Sequence, residues 1–110
     1  MSAAYGMLMT TTPSTEDAQR IARLLIEEKL AACVQLLPIQ SFYHWKEKTQ
    51  QDNETLLLIK TRKALFQAAI ARIKDVHRYE VPEIVGTELV AGFQGYFDWI
   101  DQVTQSQDAQ

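Results

Sequence analysis

Residues 31–61 hold an apolar stretch from Ala31 to Leu37, then Pro38, then Ser41-Phe42-Tyr43-His44-Trp45. A polar segment follows, Lys46 to Asn53, and then Glu54–Thr61, centred on Leu56-Leu57-Leu58-Ile59. Two β-rich runs around a polar connector predict a hairpin. Proline is tolerated in a strand only at an edge or a bulge, so Pro38 marks a bend in one long strand. In an extended chain Tyr43 and Trp45 share one face, while Phe42 and His44 share the other. The unbroken apolar run in the second arm asks for burial on both faces. The rest of the chain must therefore cover two sides.

Working outward, Tyr5–Thr11 is an apolar run stopped by Pro13 and reads as a first strand. Ser14 is placed as an N-cap, with Glu16 and Asp17 complementing the positive end of a helix dipole. Ala18, Ile21, Ala22, Leu25 and Ile26 then form one helical stripe, which predicts a helix over Thr15–Leu30. A second helix is expected over Lys63–His77, with Leu65, Ala69, Ile73 and Val76 as its stripe. A loop over Arg78–Glu83 leads to a strand from Ile84 to Val90. Gly92 and Gly95 punctuate the start of a last helix carrying Tyr96, Phe97, Ile100 and Val103. The whole, 1–110, reads as a single domain ordered over about 5–104, with a disordered polar tail at 105–110.

The order β-α-β-β-α-β plus a terminal helix is an α+β, ferredoxin-like split βαβ arrangement, an antiparallel sheet with two helices on one face. The other face, with its apolar hairpin residues, has only the last helix to cover it. Self-association through the sheets is the simpler relief, because monomers rarely tolerate a large apolar patch. Closure by the C-terminal helix is the alternative.

The 110 residues carry 11 Lys and Arg against 14 Asp and Glu, a net charge of −3 that argues against a nucleic-acid partner. Cys33 is the single cysteine, which excludes an intrachain disulfide and any CxxC motif. No run approaches the ~20 apolar residues of a membrane span, and no basic region precedes the first apolar run. A cytoplasmic protein with no membrane partner is expected. Thr10-Thr11-Thr12-Pro13 stands where a copper chaperone of this fold needs paired cysteines. The strand Thr55–Ile59 has no aromatic to stack a base, and there is no phosphate-cradling glycine loop. No nucleophile–base pair is defensible, so an enzyme is not expected.

The segments Glu28–Val34, Ser41–Lys46, Leu58–Thr61, Val76–Glu83 and Tyr96–Trp99, taken in order, resemble the CutA divalent-cation-tolerance proteins. The resemblance spans about Tyr5 to Thr104. It implies a homotrimer, similar in build to PII signalling proteins and associated with metal tolerance and copper binding. Some members carry a cysteine where this chain has Thr10, and the residue after the loop histidine, usually proline, is Arg78 here.

His77 at a helix end, with Glu80 and Glu83 after it, offers an imidazole and carboxylates suited to copper(II) or another divalent cation. One such histidine per chain is a poor site unless a trimer brings several together. The competing role for His77 is a helix C-cap. Tyr43, Trp45, Lys60, Tyr79 and Glu83 have the make-up of a ligand cleft between subunits, or of interface anchors. A lysine leaving a buried strand needs a partner, either Glu83 or an anionic ligand. Cys33 reads as a small core hydrophobe and His44 as a packing or edge residue. Two functions follow: a trimeric metal-tolerance protein, or a PII-like scaffold binding a small anion at subunit boundaries.

Overall fold

The structure, a computed structural model, describes residues 4–106. The elements run β1 (Tyr5–Thr12), α1 (Thr15–Glu27), β2 (Cys33–Trp45), β3 (Lys48–Arg62), a 3-10 turn (Lys63–Leu65), α2 (Phe66–Val76), β4 (Ile84–Glu88) and α3 (Gln94–Val103). The strands form one antiparallel sheet in the order β2-β3-β1-β4. This is the expected α+β, ferredoxin-like order with a helix added.

Alternation along the central strands selects the core. Leu8, Thr10 and Thr12 of β1 and Leu57, Ile59 and Thr61 of β3 are fully buried on one face. Ala18, Ile21 and Leu25 of α1 and Ala69 and Ile73 of α2 pack onto that face. Burial of a side chain such as Leu57 is worth roughly 1.5–3 kcal/mol. Two of these threonines are kept from costing as much by backbone partners, Thr61 Oγ1 donating to Leu30 O at 2.8 Å and Thr12 Oγ1 to Ser14 O at 2.7 Å, while Thr10 Oγ1 is buried without a partner among the described residues.

Ser14 caps α1 as read, its Oγ accepting from Asp17 N at 3.1 Å. The helix stops at Glu27 rather than Leu30, because Lys29 takes a left-handed φ of 59° and Leu30 N turns back to Leu25 O at 2.9 Å. Gly6 and Gly86 sit under Phe66, where a Cβ on Gly6 would fall 2.3 Å from Phe66 Cζ. That close approach seats α2 on the β1–β4 pair.

The hairpin departs furthest from expectation. Residues 46–53 are not a connector: β3 begins at Lys48, and the turn is Lys46-Glu47 alone, with φ of 53° and 65°. Such a pair matches the two-residue turn favoured by twisted strands. Register runs from Cys33 opposite Lys60 to Trp45 opposite Lys48, and Pro38 lies on an outer strand, where a missing N–H is tolerated. Because β1 pairs with β3 only over Thr55–Arg62, residues 39–54 project as a two-stranded arm. The radius of gyration is accordingly 14.7 Å, against about 13 Å for a compact chain of this length.

The second sheet face is closed at one end and open at the other. The Tyr5 ring stacks on Phe97 of α3 at 4.4 Å, Arg62 Nε donates to Thr104 Oγ1 at 3.0 Å, and Ile100 is buried. Beyond α3, Met9, Leu56 and Leu58 are only partly covered, while Leu37 and Val85 are 38% and 48% exposed. The expected tail also starts late. Gln105 N donates to Lys29 O at 2.8 Å and its Nε2 to Glu28 O at 2.7 Å. Residues 107–110 of that tail lie outside the described residues.

Candidate functional site

A cavity of about 770 Å³ lies between the loop after α2 and the hairpin arm, from Glu54 at the arm's base to Trp45 beside its turn. Alternation puts Ser41, Tyr43 and Trp45 of β2 on the same side as Glu54 and Asp52 of β3. The loop contributes Arg78, Tyr79, Glu80 and Glu83. Tyr79 donates its hydroxyl to Glu54 Oε2 at 2.7 Å, and Tyr43 donates to Asp52. Burial, and then the hydrogen bond to Glu54, push the Tyr79 hydroxyl far above its ordinary range. The bond to Asp52 raises that of Tyr43. Both phenols therefore stay protonated donors.

His77 fixes the loop. It forms the C-cap of α2, its Nε2 lies 2.8 Å from Thr11 O, and its Nδ1 accepts from Tyr79 N at 3.0 Å. An accepting Nδ1 leaves Nε2 as the protonated nitrogen, donating to the carbonyl. Burial holds its pKa below 6.5, so the ring is a neutral cap rather than a dipole-compensating cation. With both nitrogens engaged, His77 has no lone pair for a metal. His77 and Glu80 gather no third ligand either: among the described residues no three His, Cys, Asp or Glu side chains come together as a cation site.

Four of the five expected cleft residues meet. Tyr43, Trp45, Tyr79 and Glu83 line the cavity, and Lys60 does not. Lys60 stands ten residues along β3 from Gln50, the partner of Tyr43, which is roughly 30 Å of strand. Its Nζ donates to Gln35 Oε1 at 2.8 Å and lies 5.9 Å from the Tyr96 ring centre. Its partner in the fold is thus Gln35 and not Glu83. Cys33, opposite Lys60 on β2, is half-buried beside the Tyr96 hydroxyl. His44 sits exposed near the arm's tip. Thr10, the position of a cysteine in some relatives by resemblance, lies inside the core face.

Asp52 went unnoticed in the sequence because its segment, Lys46 to Asn53, read as a connector, and Glu54, read as the start of the next strand, had no register to place it. A two-residue turn at Lys46-Glu47 is the signal that would have placed them opposite Ile39 and Ser41.

Residues 6–103 match the model of a family described as CutA1 divalent ion tolerance protein. The chain belongs to that family. A CutA divalent-cation tolerance protein of Thermus thermophilus is 41% identical over 99 residues, covering 89% of this chain and 96% of the relative. The mouse protein CutA is 41% identical over 107 residues, 96% of this chain, yet the chain spans only 58% of that relative's length. A solved CutA structure from Archaeoglobus fulgidus, described as periplasmic, superposes with a TM-score of 0.90 at 37% identity, covering 92% of this chain and 99% of that one. The CutA frame thus accounts for β1 through α3. No helix among the described residues of this CutA chain is long and apolar enough to cross a membrane.

Proposed function

We propose that the chain is a homotrimeric divalent-cation tolerance protein that binds copper(II) or another divalent cation where subunits meet, and contributes to the cell's response to metal ions. The observation that carries this reading is the half of the sheet left uncovered beyond α3. There Met9, Leu37, Leu56, Leu58 and Val85 form one apolar surface. Leaving it wet is unfavourable at ~25 cal/mol per Å² of apolar area, and both edge strands of the sheet are open for pairing. Family membership supports the tolerance function, and the relatives' names carry the same words.

The role is binding rather than catalysis. Among the described residues one chain assembles no set of three ligands, so a cation takes groups from two or more subunits. The carboxylates Glu80 and Glu83 on the loop are the donors this chain offers, and His77 serves the fold. Cytoplasmic residence belongs to the same proposal, resting on a lone thiol, Cys33, with no disulfide partner. A crystal soaked in Cu(II) tests it directly. Anomalous density bridging carboxylates of neighbouring subunits supports the reading. Density centred on His77 within one chain, or none at any boundary, contradicts it.

A further inference from the structure

The cleft carries a charge opposite to the one its residue types implied. An anion was expected because Lys60 was expected there, and Lys60 is bonded to Gln35 far along β3. Arg78, the remaining cation on the wall, gives its Nε to Asp17 Oδ2 at 2.9 Å, which ties it toward α1 and leaves one guanidinium against three carboxylates in the lining. Three carboxylates, Glu54, Glu80 and Glu83, line the cavity with Tyr43, Trp45 and Tyr79, and none of the three is in an ion pair among the described residues.

Aromatic faces attract cations through the ring quadrupole, and they do so best where weakly hydrated alkylated ammonium groups can shed their water. Carboxylates in the same lining add Coulomb attraction and repel anions. Within one chain this lining is a poor cage for a bare divalent ion, which wants several oxygens fixed around it and gains them only where a second subunit adds its own donors. The geometry points to a binding site for a small organic ammonium cation, held against Tyr43, Trp45 and Tyr79 and charge-matched by Glu54, Glu80 and Glu83. The site goes beyond the divalent-cation reading, and its walls come from one chain.

Trp45 reports on it. In a Trp99→Phe background Trp45 is the sole tryptophan, so its fluorescence is followed in the assembled protein at constant ionic strength. Tetramethylammonium chloride is titrated against sodium chloride, sodium phosphate and neutral tert-butyl alcohol. A saturable response to tetramethylammonium, at least about tenfold tighter than to the alcohol, is expected. Replacing the two exposed carboxylates, E80Q with E83Q, weakens it several-fold while the alcohol response stays the same. Equal response to alcohol and ammonium, preferential binding of phosphate, or no saturable response overturns the site. So does ammonium binding that survives E80Q/E83Q unchanged. Sedimentation of the same samples separates this outcome from the trimer: a trimer with no ammonium response rejects the cleft alone.

Discussion

Arg78 Nε donates to Asp17 Oδ2 at 2.9 Å, joining the loop after α2 to the first turn of α1. The Asp17 side chain is 8% exposed, accepts also from Arg20 at 3.4 Å, and shares a hydrogen bond with Ser14 at the N-cap. Arg78 stands where the resemblance places a proline. A stiff residue would fix this loop by restricting the backbone; here a guanidinium fixes it from the side.

The Arg78 bond, first among its causes, holds the Asp17 carboxyl below its ordinary 3.8. A depressed carboxyl contributes stability above its unfolded value and loses it as pH falls through the folded one. Arg78→Ala is therefore expected to lower Tm at pH 7 and to lessen the loss on acidification below pH 4. Thermal melts over pH 3–7 check it, and the Arg78→Ala effect should shrink in an Asp17→Asn background. Independent, additive losses would show that the pair does not couple.

His77 predicts a second pH response of the same sign. Its folded pKa lies below 6.5 because burial disfavours the imidazolium. The unfolded chain binds more protons in that window, so stability is full above about pH 6.5 and falls as pH drops through the folded value. His77→Gln should flatten the Tm profile between pH 7 and 5. His77→Ala should cost about 1–3 kcal/mol by orphaning Thr11 O and Tyr79 N, and should leave Cu(II) binding enthalpy unchanged in calorimetry. Loss of most of that enthalpy would return His77 to the metal.

The turn of the hairpin carries two side-chain-bearing residues at positive φ, Lys46 and Glu47. Left-handed backbone costs an ordinary residue roughly 1–2 kcal/mol, while Asn and Gly adopt it cheaply. The double replacement K46N/E47G is expected to raise stability by roughly 1 kcal/mol in urea unfolding, with m unchanged. A fall in stability would mean that the strands do not meet in this register.

Much of the fold was legible in the chain because burial writes its period. The stripe Ala18, Ile21, Leu25 and the Ser14 cap fixed α1, and the run Leu56–Ile59 marked a strand that is apolar on both sides. The distal arm was not legible, because a two-stranded ribbon has no buried face to select apolar residues. Thr49, Gln50, Gln51, Asp52 and Asn53 are all polar and still form a ladder with β2. With the arm misread as a connector, Asp52 and Glu54 could not be placed beside Tyr43 and Tyr79. Lys60 failed for another reason. Its partner Gln35 is the diagonal neighbour across the ladder, a relation that exists only once the register is known.

Sedimentation velocity at low micromolar concentration tests whether the sheet's uncovered end meets other copies of the chain. The uncovered apolar surface around Leu37, Leu58 and Val85 predicts self-association, and the proposed homotrimer, which rests on the family resemblance, makes it a particle of about three times the chain mass that persists on dilution. A stable 12.6 kDa species would contradict it.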